Sequence, residues 1–201
     1  MKEFWSFEGG FTGITGKLFD ALMLGLLWLL CSIPVITVGA STTALYYAFV
    51  KCIKNNRGYP VKEFFHSFRQ NFLQASVLWG LQLAALILLF GNLHILMNEM
   101  EATNFTSFLL VVYVLAIAVL LMLSLYVFPA LSRYEMKTFW FLRFSVCAAV
   151  RHFGTTLILG LILAMAAVLS LHCPLLIVAA PSLCCFAASE FMERILAKYS
   201  V

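Results

Sequence analysis

Long uncharged stretches separated by short charged blocks set the plan of this chain. Between residues 18 and 50 the only Asp, Glu, Lys or Arg is Asp20, and residues 70–98, 102–132 and 153–189 carry none. A helix of 33 residues would be about 50 Å long, against a hydrocarbon core of ~30 Å, so the first stretch must be cut. The cut is written at Ser32-Ile33-Pro34, followed by β-branched Val35-Ile36-Thr37-Val38 and then Gly39. Helical segments are therefore predicted at 18–34 and 40–54. The second is short enough that a full crossing, a tilted half-span and a re-entrant element all fit it. Further segments are expected at 72–97 and at 104–131, where Pro129 falls late, and at 154–171 and 175–195, which His172-Cys173-Pro174 separates and Pro181 kinks. Residues 139–153 read as an amphipathic interfacial helix, with Phe139, Trp140, Phe141 and Phe144 near the headgroups and Arg143 and Arg151 snorkelling. The fold class is all-α: one polytopic transmembrane bundle over 1–201, with six helical segments plus the interfacial helix.

Composition narrows the class. Hydrophobic residues make up 63% of the chain and charged residues 11%, where soluble domains carry ~25% charged. A water-soluble globule of this length has too little polar surface here to cover itself. The six cysteines show no Cys-x-x-Cys spacing and sit mostly within apolar stretches, as small hydrophobes do.

The charges then give an orientation. Residues 51–70 carry Lys51, Lys54, Arg57, Lys62 and Arg69 against Glu63, and residues 133–152 carry Arg133, Lys137, Arg143 and Arg151 against Glu135. Between them lies a loop charged only by Glu99 and Glu101. By the positive-inside rule both basic segments are cytoplasmic, as are the C-terminus and, with six segments, the N-terminus. Val38-Gly39-Ala40 resembles a signal-peptidase site, but cleavage there would put 51–69 outside, so no cleavage is expected. The partner implied is the lipid bilayer; the discontinuous basic runs do not suit nucleic acid. The cytoplasmic docking surface is assigned to Lys51, Lys54, Arg57, Lys62, Arg69, Arg143 and Arg151.

The stretch Leu27-Trp28-Leu29-Leu30-Cys31-Ser32-Ile33-Pro34-Val35-Ile36-Thr37-Val38-Gly39-Ala40, then Thr42-Thr43-Ala44-Leu45-Tyr46-Tyr47, resembles the N-terminal signature of the YesL-like family. Phe64-Phe65-His66-Ser67-Phe68-Arg69-Gln70-Asn71-Phe72 fits the same family's basic segment. The resemblance covers the chain in length and layout and is specific in its first third. It implies a small integral protein of the bacterial cytoplasmic membrane, of no established activity, often encoded near genes for carbohydrate transport and polysaccharide degradation, and with them a membrane transport complex as partner.

Candidate chemistry is sparse. No nucleophile elbow, Walker loop or His-Glu-x-x-His is present, and no enzyme, cofactor or metal is expected. His94 and His172 with Glu99, Glu101 and Cys173 have zinc-ligand chemistry, but nothing in the sequence fixes their spacing. Asp20, three residues after Lys17, suits a headgroup boundary. Phe68-Arg69-Gln70-Asn71-Phe72 and Val150-Arg151-His152-Phe153 echo each other weakly, as a duplication or as two independent interfacial anchors. The one candidate ligand site is the helix break, Pro34, Thr37, Gly39 and Thr42, where an unwound helix can offer carbonyls to a solute. The simpler reading of the break is a turn, its hydroxyls capping the second helix. The function that follows is a non-enzymatic accessory or scaffold linked to carbohydrate uptake. The alternative is a small-solute transporter or channel, with a polar cavity lined by Thr37, Ser41, Thr42 or Gln82.

Overall fold

A computed structural model describes residues 4–99, 104–134, 138–172 and 176–199. Those residues form seven α-helices and no strand: α1 Phe4–Ser32, α2 Val38–Ala48, α3 Pro60–Glu99, α4 Asn104–Arg133, α5 Thr138–Arg151, α6 Phe153–His172 and α7 Leu176–Tyr199. The chain is an all-α bundle of membrane type. Five helical stretches are long and apolar enough to cross a membrane: Thr15–Ser32, Val35–Lys54, Pro60–Asn98, Asn104–Arg133 and Phe153–Ser170. The segment expected at 175–195 is α7, whose second half carries Glu190, Glu193 and Arg194 and which is not among the five. Large apolar side chains face outward on every long helix, Leu73 being 77% exposed and Leu161 68%. Patches of that extent are unfavourable in water and ordinary where the surrounding solvent is lipid.

α1 stops at Ser32 because Pro34 has no N–H to donate and disfavours helical geometry at Ile33. Pro34 is extended (φ −74°, ψ 114°) and a single 3-10 turn, Val35–Thr37, leads into α2. α1 and α2 fold back on each other as a hairpin. The Trp28 indole N–H donates to Thr42 Oγ1 at 3.1 Å, and Ser32 and Ser41 hydroxyls pair at 2.7 Å. A π-helical turn, Phe49–Lys54, ends the hairpin and places Lys51 and Lys54. Asn56 (φ 52°) and Gly58 (φ 84°) then reverse the chain into α3, which opens on Pro60, a residue suited to a first helical turn.

The 40 residues of α3 give about 60 Å of helix, and the hairpin is laid along its first half. Small residues set the closest approaches. On α1, Ala21 and Gly25 face Val178 and Ser182 of α7; Ser182 Oγ donates to the Ala21 carbonyl at 2.6 Å, and a Cβ on Gly25 would collide with the Val178 carbonyl. Such small-residue crossings are how helices associate in lipid, where burial from water supplies no drive.

The interfacial helix exists as α5, but its aromatics are used differently from the sequence expectation. Phe141, Phe144, Ser145 and Ala148 lie at i, i+3, i+4, i+7 and are all buried, so they form the stripe that packs on the core. Trp140 stacks on Phe144 (5.1 Å, 8°) and Tyr134 packs edge-on against Trp140. Arg143 and Arg151 are on the exposed face; the side chain of Phe139 lies outside the described residues. The echoed motifs differ locally, 68–72 being continuous α3 and 150–153 the junction of α5 and α6. That favours independent anchoring over duplication.

Candidate functional site

The helix break is closed rather than open to solute. Val35 lies against Trp79, the midpoint of α3, whose indole N–H donates to the Val35 carbonyl at 2.7 Å. The Thr37 hydroxyl sits 2.5 Å from the Cys31 carbonyl and 2.6 Å from that of Pro34, and donates into that pair. The Thr37 N–H donates to the Pro34 carbonyl at 2.9 Å. The carbonyls of Cys31, Pro34 and Val35 are thus engaged within the chain. Gly39 is buried, and a Cβ there would stand 2.7 Å from Trp79 Cβ and 2.8 Å from the Ala75 carbonyl. At the tip, Ile33, Val35 and Ile36 are 75%, 56% and 66% exposed. A bent backbone with its Cys31, Pro34 and Val35 carbonyls bonded and an apolar outer surface is compatible with hydrocarbon.

The hydroxyls after the break do not cap α2. Thr37, its N-cap residue, makes no side-chain cap bond. Ser41 donates toward the Thr37 and Val38 carbonyls, Thr42 to the Val38 carbonyl at 2.7 Å and Thr43 to the Gly39 carbonyl at 2.9 Å. This back-bonding to the preceding turn is an alternative that Ser and Thr take in apolar surroundings, where no water competes. Gln82 Nε2 donates to the Leu120 carbonyl at 2.9 Å and ties α3 to α4.

A cavity of about 420 Å³ lies beside the break, between α2, α3 and α4 on one side and the α6–α7 hairpin on the other. Of Pro34, Thr37, Gly39 and Thr42, only Thr42 lines it; Trp28, Tyr46, Trp79 and Phe128 supply its aromatic walls. Sequence reasoning placed the cavity around hydroxyls and Gln82 and missed the contribution of α6 and α7. The available signal was the small residues Ala166, Ala167 and Ala180, which leave the space that bulkier side chains would fill. Its polar lining groups are already bonded. Trp28 and Trp79 donate as described, Tyr46 donates to Glu193 at 3.3 Å, and Ser124 and Ser170 donate to carbonyls of their own helices at 2.6 and 2.7 Å.

The basic segments meet the C-terminal acids at one end of the bundle. Lys51 pairs with Glu63 at 2.7 Å, Lys54 with Glu190 at 3.0 Å and Arg133 with Glu193, which also accepts from Tyr46. Lys51 and Lys54 are therefore partly neutralised within the molecule. Arg57, Lys62, Arg69, Arg143 and Arg151 are exposed, and Lys62, Phe65, His66, Arg69 and Gln70 form one outward stripe of α3. Among the described residues no three His, Cys, Asp or Glu side chains gather at metal-binding range. Of the zinc candidates, Glu101, Cys173 and the side chain of Glu99 lie outside the described residues.

A family described as a protein of unknown function, DUF624, matches residues 21–93, which hold the second half of α1, the break, α2 and most of α3. No curated protein and no solved structure matches the chain.

Proposed function

We propose that this protein is a non-enzymatic accessory or scaffold of the bacterial cytoplasmic membrane, YesL-like in kind and serving a carbohydrate uptake complex. The observation that carries the reading is the packed break. Where the sequence offered a solute backbone carbonyls, Trp79 packs against the break and the Cys31, Pro34 and Val35 carbonyls are bonded by Thr37 and Trp79. What the molecule presents instead is a cationic end, where Arg57, Lys62, Arg69, Arg143 and Arg151 face outward beside the ion-paired Lys51 and Lys54. Such a surface attracts anionic headgroups or an acidic partner, and the positive-inside rule puts it in the cytoplasm with both termini. The α1–α2 hairpin then enters and leaves on the cytoplasmic side, turning back at the depth of the midpoint of α3.

Deletion is expected to lower oligosaccharide uptake severalfold, with the wild-type chain restoring it. A variant with Arg57, Lys62, Arg69 and Arg143 changed to Gln should insert normally and fail to restore. Unchanged uptake in the deletion strain contradicts the proposal.

One observation favours the transport alternative: Trp28, Tyr46 and Trp79 surround Thr42 in a cavity large enough for a small molecule. A sugar, however, needs polar groups free to bond it, and those of this lining are engaged. Sugar flux into liposomes holding the purified protein is expected to equal that of empty liposomes, and flux above it would restore the alternative.

A further inference from the structure

We infer that the cavity between α2–α4 and the α6–α7 hairpin is the seat of one acyl chain of a membrane phospholipid.

Three properties of the cavity select that occupant. Its volume, about 420 Å³, is well above the ~150 Å³ at which an engineered apolar cavity stays dry and takes up benzene. Water filling it would need two to four hydrogen bonds per molecule. The indoles, hydroxyls and phenol of the lining already have partners inside the chain. Water and sugars are disfavoured on the same ground.

The second property is length. The lining follows α6 from residue 159 to 170 and α7 from residue 177 to 188, roughly 16 Å of each helix at 1.5 Å per residue. One leaflet contributes about half of the ~30 Å hydrocarbon core. The slot therefore has the reach of a single acyl chain.

The third is supply. The cavity is partly open, and Leu163 and Ile177 on its wall keep 42% and 41% of their surface uncovered. The helices around it are apolar on their outer faces, so the medium at its mouth is lipid. An unfilled space forfeits the dispersion contacts of its walls, and the chain available at highest concentration to restore them is phospholipid. At one end of the slot stand Tyr46 and Ala188, next to the Glu193–Arg133 and Lys54–Glu190 pairs, which puts charged groups within reach of a headgroup.

The cavity supplies its own reporters. Trp28 and Trp79 are on its wall, and the other two tryptophans, Trp5 and Trp140, can be changed to Phe. The full chain carrying Trp5→Phe and Trp140→Phe, in mild detergent, is titrated with phosphatidylglycerol brominated at mid-chain. Quenching of the remaining fluorescence is expected to saturate near one lipid per protein and to remove at least half the signal. Adding Ala166→Phe and Ala180→Phe fills the slot and should weaken quenching at least fivefold with helicity retained. If that double change does not fold, Leu163→Phe serves as the filling variant, with the same expectation. Non-saturating quenching that is equal in the open and filled proteins is annular lipid only and overturns the proposal. Saturation by a brominated free fatty acid but not by the phospholipid overturns the assignment to phospholipid. Absent quenching, together with a dimer that the filling variants dissociate, gives the slot to a second copy of the chain and overturns the proposal as well.

Discussion

Gly39→Leu is expected to unseat the α1–α2 hairpin from α3 and to lower stability in detergent by on the order of 3 kcal/mol, the upper range for overpacking. The reason is the nature of the neighbours. A Cβ at Gly39 meets Trp79 Cβ at 2.7 Å, the Ala75 carbonyl at 2.8 Å and the Phe128 ring at 3.0 Å. The first two are backbone or nearly so and cannot rotate away. Relief requires α2 to move off α3, and that interface is the most extensive between any two helices. Thermal unfolding followed by circular dichroism should show a large loss for Gly39→Leu and a smaller one for Gly39→Ala. A Leu variant as stable as wild type would mean that α2 and α3 are not in contact at this point. The same packing means that Gly39→Leu cannot serve as a selective test of a transport site, because it disrupts the fold before any path.

Trp79→Ala is the second large effect, with an expected cost of about 3–5 kcal/mol. Trp79 does three things at once. It caps the Val35 carbonyl, it packs its ring against Phe128 (6.2 Å between centroids) and it closes one wall of the cavity. Removing it takes away one of the two donors to the Val35 carbonyl, the Val38 N–H being the other, and joins the break to the cavity. Trp79→Phe keeps the packing and loses the bond, so it should fall between wild type and Ala. If Phe and Ala lose equally, the hydrogen bond dominates; if Phe matches wild type, the ring alone matters. Trp79 and Gly39 touch, so their effects should not add.

Much of this architecture is legible in the sequence, for identifiable reasons. The charge-free stretches mark the apolar helices, and Pro34 with Gly39 marks the break to within a residue or two. The amphipathic stretch at 139–153 is α5, found at Thr138–Arg151. The apolar stretches mark the parts able to cross a membrane and not the helix ends. α1 begins at Phe4 and α3 at Pro60, since a helix does not end where its apolar part ends; in α3 the polar start holds Lys62 and Arg69, good helix formers. What the sequence hides is direction. In water, the buried face of a helix is the apolar one; in α4, α6 and the part of α3 after Asn71 nearly every face is apolar, so periodicity cannot say which side meets a neighbour. The conspicuous polar groups Thr37, Ser41, Thr42 and Gln82 stand out instead; all four bond to nearby carbonyls, and of them only Thr42 lines the cavity. The cavity arises between helices that are not neighbours in the chain, from small side chains that carry no local signature.

In the topology proposed above, the α1–α2 hairpin turns back inside the membrane and the basic end of the bundle lies in the cytoplasm. Site-directed labelling of a variant without its six cysteines tests it most directly. Single cysteines are introduced by Lys62→Cys, Ile36→Cys and Asn98→Cys, and intact cells are treated with a membrane-impermeant maleimide before and after permeabilisation. The account predicts labelling of the Asn98 site in intact cells and of the Lys62 site only after permeabilisation. The Ile36 site should react in neither condition, although Ile36 is 66% exposed on the protein itself. Labelling at Ile36 in intact cells would mean that the hairpin crosses the bilayer completely, and labelling at Lys62 in intact cells would reverse the orientation; either result contradicts the account.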